Sequence, residues 1–233
     1  MGSVSNAIAI RPRIRKFLDS YFRGDRRFNI RFNLRVRALN ASCEYIEKNM
    51  VGIPMFDEAH DALNFAIQEV NIEGLFCEFG VYKGKSVNYI ASLIEQDIHA
   101  FDSFEGLPER WMDSHQKGHF SISDLPEFED NVVVHKGWFD DTLPLFIEGI
   151  EEDVAFLHVD CDLYSSTNTV LSLLAKRIVP GTVIMFDEYF NYPFWEHHEY
   201  RAFQEFVKSN DLLYEYLCYS SNCVAVRILG NTA

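Results

Sequence analysis

The feature that most constrains this chain is an alternation. From residue 74 onward, short apolar runs closed by glycine or an acidic residue alternate with stretches of helical period. Strand and helix signals in that succession predict a parallel sheet joined by right-handed crossovers. Five runs are assigned to strands: Gly74 to Gly80, Ile98 to Asp102, Val132 to His135, Val154 to Asp160 and Thr182 to Asp187. Two closing strands, Leu213 to Tyr219 and Cys223 to Ile228, follow. Helices are expected near Ser86 to Glu95, Thr142 to Glu148, Thr167 to Arg177 and Glu199 to Ser209. The expected class is therefore α/β, a seven-stranded, mostly parallel sheet with helices on both faces.

Residues 1–70 precede this pattern and read as a helical extension or lid, leaving residues 71–233 as one catalytic domain. Phe17, Leu18, Tyr21 and Phe22 give one apolar stripe, which Leu34, Leu39, Tyr45 and Ile46 continue. Met50 to Pro54 breaks the pattern, and Phe56 to Val70 resumes it. Eleven of the 21 Lys and Arg residues, from Arg11 to Lys48, lie in the first 48 positions. The other 185 residues hold 10 basic side chains against 31 acidic ones, within a net charge of -14. Such a body does not suit nucleic acid, which needs a basic surface. The basic arm suggests docking on the body or on a second copy, hence a homodimer or larger homo-oligomer, or else a lid that draws in an anionic substrate. No apolar run approaches a membrane span, and the five cysteines lack zinc-type pairing, so a reduced, cytoplasmic protein is expected.

Phe76-Cys-Glu-Phe-Gly-Val-Tyr-Lys-Gly-Lys-Ser86 reads as a strand end, a glycine turn and a helix start, the arrangement that forms nucleotide-type pockets in open α/β sheets. Its Gly80-x-x-x-Gly84-Lys85-Ser86 is one residue short of the phosphate loop of ATPases, and the shorter loop cannot wrap a phosphate with the same N–H groups. The dinucleotide glycine spacing is absent as well. S-adenosylmethionine suits an acidic mouth better: it carries a sulfonium, an ammonium and a ribose diol but no phosphate. Glu78 and Asp102, ending the first two strands, would attract it, with Asp102 accepting from both ribose hydroxyls. Taken singly, each acid could equally be a solvated strand end. A P-loop-like ATPase, or a non-catalytic cofactor-binding protein of the same fold, is the rival.

Two further strand ends bring Asp160, Asp187 and Glu188 together, and clustered carboxylates ask for a cation. All-oxygen ligands suit Mg²⁺, with Mn²⁺ or Ca²⁺ as alternatives. A base must take the acceptor's proton. Asp162 shares a strand face with Asp160 if strand geometry persists, while His197 and His198 compete from an aromatic-rich segment. His158 reads as a structural histidine, and Ser165 or Ser166 as a helix cap. The long polar interval Ser103 to Asn131, with Trp111, Met112, His115 and His119, reads as an active-site lid.

Glu78 to Ser86 resembles the first motif of class I methyltransferases, especially the metal-dependent catechol O-methyltransferase-like group. Phe101-Asp-Ser-Phe-Glu-Gly-Leu-Pro108, Gly137-Trp-Phe-Asp-Asp-Thr-Leu-Pro144 and Val159-Asp-Cys-Asp-Leu-Tyr-Ser-Ser-Thr167 more narrowly resemble the macrocin O-methyltransferase family, which methylates sugar and phenolic hydroxyls of natural products. That resemblance spans roughly residues 74–190 and implies a Rossmann-like fold, S-adenosylmethionine as cofactor and a small-molecule or sugar hydroxyl as acceptor. It implies the same metal triad, though the last position, Glu188 here, is commonly Asp or Asn. It also implies Asp162 as base, and Leu163 stands where catechol O-methyltransferases place a lysine. Further cofactor contacts come from the resemblance: Gly80 and Tyr82 in the turn, Ser86 at the methionine carboxylate, Ser103 and Phe104 beside the ribose acid, and Phe139 and Asp140 at the adenine.

Overall fold

The structure, a computed structural model, describes residues 29–112 and 114–231. The basic residues from Arg11 to Arg27 and the stripe Phe17 to Phe22 lie outside them. Helices α1 (Ile30–Asn49) and α2 (Ala59–Gln68) come first; Asn29 caps α1 by accepting from the Phe32 N–H at 3.0 Å. Then follow β1 (Leu75–Phe79), α3 (Lys85–Leu93), β2 (Ile98–Asp102), β3 (Val132–Lys136), α4 (Phe139–Glu148), β4 (Val154–Val159), α5 (Tyr164–Leu174) and β5 (Ile178–Phe186). A short turn of 3₁₀ helix, Trp195–His197, leads into α6 (Glu199–Ser209), β6 (Leu212–Tyr219) and β7 (Val224–Asn231).

The seven strands form one sheet in the order β3-β2-β1-β4-β5-β7-β6. β1 to β5 pair in parallel, and β7 lies antiparallel between β5 and β6. Strand side chains alternate between two apolar layers. Cys77, Phe79, Leu157, Val159, Ile184 and Phe186 join one core with α4, α5 and α6; Phe76, Phe156, Val183 and Met185 join the other with α2 and α3. Burial on both faces is what a continuous run such as Val154–Val159 requires, and all six of its residues are buried.

After residue 74, three element starts differ from the sequence expectation by three residues or more. α4 starts at Phe139, not Thr142: Pro144 sits inside the helix rather than in its first turn, while Asp140 and Asp141 occupy the first turn. α5 starts at Tyr164 with Leu163 at its cap position and no side-chain cap bond, so the expected serine cap is corrected. β5 begins at Ile178, ahead of Pro180 and Gly181. The ladder with β4 is irregular there, and Thr182 fills the gap, its hydroxyl donating to the Val154 carbonyl at 2.7 Å and accepting the Val179 N–H at 3.0 Å.

Candidate active site

The chain winds outward from β1 to β3 on one side and from β4 to β5 on the other, so the strand order reverses between β1 and β4. Open α/β sheets hold ligands in the crevice beyond the strand ends at that point. Here it opens into a cavity of about 720 Å³, lined among others by Gly80, Tyr82, Asp102, Ser103, Phe139, Asp140, Asp160, Asp162, Asp187 and Glu188. Each strand end is tied to its neighbour: the Asp160 N–H donates to the Phe79 carbonyl at 2.9 Å and the Asp187 N–H to the Val159 carbonyl at 3.0 Å.

Asp102 shapes the glycine turn. Its Oδ2 accepts the N–H groups of Val81 (2.7 Å) and Tyr82 (2.8 Å), and its Oδ1 accepts the Phe104 N–H (2.7 Å). A carboxylate has about four acceptor positions, so this one keeps a single position for a ligand hydroxyl. The expectation that Asp102 accepts both ribose hydroxyls is corrected accordingly. Glu78 and Ser86 are not on the cavity wall. Glu78 is fully buried behind it, its Oε1 accepting from the Ser86 hydroxyl at 3.0 Å and its Oε2 bonded to His158 Nδ1 at 2.9 Å. Burial pushes the Glu78 carboxyl up, and His158 opposes that shift. His158 is the structural partner expected of it. Ser86's hydroxyl is thus engaged, and Lys85 is exposed away from the cavity, an arrangement unlike a phosphate loop.

The acid cluster lies across the cavity. Burial, and then the charges of Asp187 and Asp162, push the Asp160 carboxyl well above the usual range. Burial and then Asp187 carry Asp162 up to about 7, and burial, Asp187 and Asp162 carry Glu188 up to about 8. Asp162 does not continue the strand: its φ of +63° turns it into the left-handed region, and the side chain still reaches the cavity. Among the described residues no three His, Cys, Asp or Glu side chains are disposed to grip one metal ion as they stand. Glu188 lines the cavity with one oxygen engaged, its Oε1 accepting from the Asn222 amide at 3.1 Å. The donor chemistry nevertheless fits a hard cation, since Asp160, Asp162 and Asp187 are oxygen donors and the charge of Asp187 raises the carboxyls of the other two.

His197 is exposed on the 3₁₀ turn, and neither it nor His198 lines the cavity. The structure brings only Asp162 of the three candidate bases to the acids. The segment from Ser103 to Asn131 covers one side, presenting Trp111, Met112, His115 and Phe120, while His119 packs on His115 with ring centroids 4.4 Å apart. It is latched to α5, where the Ser165 hydroxyl donates to Glu109 Oε1 at 2.6 Å. One participant, Trp138, escaped sequence reasoning, whereas Tyr192 belongs to the aromatic-rich segment already singled out. Trp138 and Tyr192 line the cavity, and the Tyr192 hydroxyl donates to the Glu188 carbonyl at 3.2 Å.

The macrocin-O-methyltransferase (TylF) family model matches residues 19–215. The chain is 29% identical over 181 residues to the 8-demethyl-8-(2,3-dimethoxy-α-L-rhamnosyl)-tetracenomycin-C 4'-O-methyltransferase of Streptomyces olivaceus, covering 66% of this chain and 67% of that one. It is 24% identical to the mycinamicin III 3''-O-methyltransferase of Micromonospora griseorubida, with 62% and 66% covered. Among solved structures, the calicheamicin methyltransferase CalS11 superposes with a TM-score of 0.60 at 21% identity over 72% of this chain and 77% of that one. The O-methyltransferase NovP gives 0.59 at 21% identity, over 73% and 79%. Both superpositions concern the fold. No helix among the described residues is long and apolar enough to cross a membrane.

Proposed function

The chain belongs to the macrocin O-methyltransferase family, a family of S-adenosylmethionine-dependent O-methyltransferases, and we propose that it methylates a sugar hydroxyl on a small molecule at the cavity between β1 and β4. The observation that carries this reading is the convergence of Asp160, Asp162, Asp187 and Glu188 on one side of a cavity whose other side is the glycine turn. A volume of about 720 Å³ is of the size that encloses a cofactor with part of an acceptor. The sugar is suggested by the relative named for a rhamnosyl-bearing tetracenomycin.

In this reading Gly80, Tyr82, Ser103, Phe139 and Asp140 contact the cofactor, and Glu78 and Ser86 support the turn from behind. The acceptor oxygen attacks the methyl carbon in line with the sulfur. As the O–CH₃ bond forms the S–CH₃ bond breaks, its electron pair stays on sulfur, and S-adenosylhomocysteine leaves. The acceptor's proton passes to a carboxylate oxygen of Asp162, whose pKa of about 7 suits a base near neutral pH. Much of the rate must come from alignment, because methyl transfer needs little beyond a correctly aimed nucleophile. Asp160 and Asp187 are the carboxylates we assign to a divalent cation, Mg²⁺ before Mn²⁺ or Ca²⁺, with Glu188 third. Bound there, the cation would neutralise the cluster and stabilise the developing alkoxide.

Calorimetric titration with S-adenosylmethionine and, separately, ATP tests the cofactor assignment: binding of the first alone is expected, and binding of ATP alone would overturn it. Asp162→Asn should retain S-adenosylmethionine but lose turnover by roughly 10²- to 10⁴-fold. Full turnover in that variant would remove Asp162 from the role of base.

A further inference from the structure

The acid-bearing loops after β4 and β5 leave the sheet ladder at the point where the site begins. The last ladder bonds are those of the Asp160 and Asp187 N–H groups. Beyond them the N–H groups of Asp162 and Glu188 have no strand to bond to. One fully buried side chain from a third element takes both. Glu199, the first residue of α6, accepts the Asp162 N–H on Oε1 at 3.1 Å and the Glu188 N–H on Oε2 at 3.1 Å.

We infer that Glu199 is a positioning residue: its carboxylate bridges the two loops and fixes the carboxylates of Asp162 and Glu188 on the same cavity. The inference rests on the methyl-transfer reading only for what that arrangement serves. Three features support it. The bridge engages both oxygens, so it constrains the loops relative to each other rather than either one alone. It bonds the backbone of Asp162 itself, the residue held in a left-handed conformation that is strained for a non-glycine residue and persists only when its surroundings fix it. Finally, Glu199 stands in a region already crowded with acids, where a buried carboxylate is costly unless something is gained from it. Its place at a helix N-terminus offsets part of that cost. An amide there would be cheaper for folding but offers a single acceptor oxygen to the two N–H groups.

The test uses the full chain and two variants that separate reach from charge. Glu199→Asp keeps the charge and shortens the reach by one methylene. Glu199→Gln keeps the reach and offers one acceptor oxygen to two donors. Three quantities are read: hydrogen exchange of the Asp162 and Glu188 amides by NMR, Mn²⁺ affinity by electron paramagnetic resonance, and S-adenosylmethionine affinity by calorimetry. In both variants the two amides should exchange faster and Mn²⁺ should bind roughly tenfold more weakly, as expected for residues that orient ligands from behind. S-adenosylmethionine affinity should hold even where release of the two amides lowers the melting temperature modestly. Wild-type amide exchange in Glu199→Asp overturns the inference, as does Mn²⁺ weakening confined to Glu199→Gln, which would mean that charge alone matters. Parallel loss of S-adenosylmethionine binding and melting temperature also overturns it, in favour of a fold-maintenance role. If the wild-type chain binds no Mn²⁺ but both variants release the two amides, the bridge stands and the cation assignment above fails instead.

Discussion

Gly80 shows how closely the site is built. A Cβ placed there would lie 1.8 Å from the carbonyl oxygen of Asp160 and 2.7 Å from its carbonyl carbon, and the residue's φ is +93°. Any side chain must therefore push the first candidate metal ligand away from β1 while also straining its own backbone. Gly80→Ala should cost roughly 2–4 kcal/mol in urea unfolding and sharply weaken S-adenosylmethionine binding. A variant as stable as wild type would mean that the β1 and β4 ends are not packed this tightly. Gly80, Asp160, Asp162, Asp187 and Glu188 were legible in the sequence because each sits within three residues of a strand end, where fold topology brings the segments together. Glu199 was not. An acid at a helix start is ordinary, and its bonds to Asp162, 37 positions away, and to Glu188, 11 away, leave no local pattern. Ser86 was misplaced by one layer for a related reason: the sequence shows a hydroxyl at a helix start, but not that Glu78, on the same side of the sheet, claims it.

Elements carry their own chemistry away from the cavity. β2 and β3 pair His99 with His135, Nδ1 to Nε2 at 3.1 Å, and His135 stacks on Phe101 at 4.4 Å. Burial lowers the pKa of His99, with Asp97 and Glu152 pulling the other way; burial and then His99 lower that of His135. Both are thus depressed in the folded protein, so this pair's contribution to stability is lost as pH drops through the unfolded value of about 6.5, opposite in sign to that of the raised carboxyls at the cavity. His135→Phe, which keeps an aromatic ring against Phe101, should shift the pH slope of the urea midpoint between about pH 8 and pH 5 toward greater stability at the acid end. An unchanged slope would place the sensitivity elsewhere. The pairing was not foreseeable before the register of β2 against β3 was known, although both strands were. Two elements start earlier than expected: α4 takes Pro144 inside the helix, and β5 takes in Pro180 and Gly181 within a strand whose irregularity Thr182 fills.

At the scale of the whole molecule, the mostly parallel sheet and its two apolar layers followed from the alternation of apolar runs, because a parallel sheet covered on both faces is the arrangement that buries them all; the order of the strands did not follow from it. Charge distribution bears on function at the same scale. Residues 49–233 hold 31 acidic and 10 basic side chains, and six of those acids line the cavity. S-adenosylmethionine carries one net positive charge, and the product S-adenosylhomocysteine carries none. The field of the body should therefore favour the substrate form of the cofactor and release the product form once the methyl group has left. Screening tests this, since the Debye length shrinks from about 14 Å to about 4 Å between roughly 0.05 M and 0.5 M salt. Over that range, with divalent cations chelated, S-adenosylmethionine affinity should fall by about threefold while S-adenosylhomocysteine affinity changes much less. Equal salt dependence for the two would mean that protons already neutralise the cluster before the cofactor enters, and that the raised carboxyls of Asp160 and Glu188 are held uncharged until a cation displaces their protons.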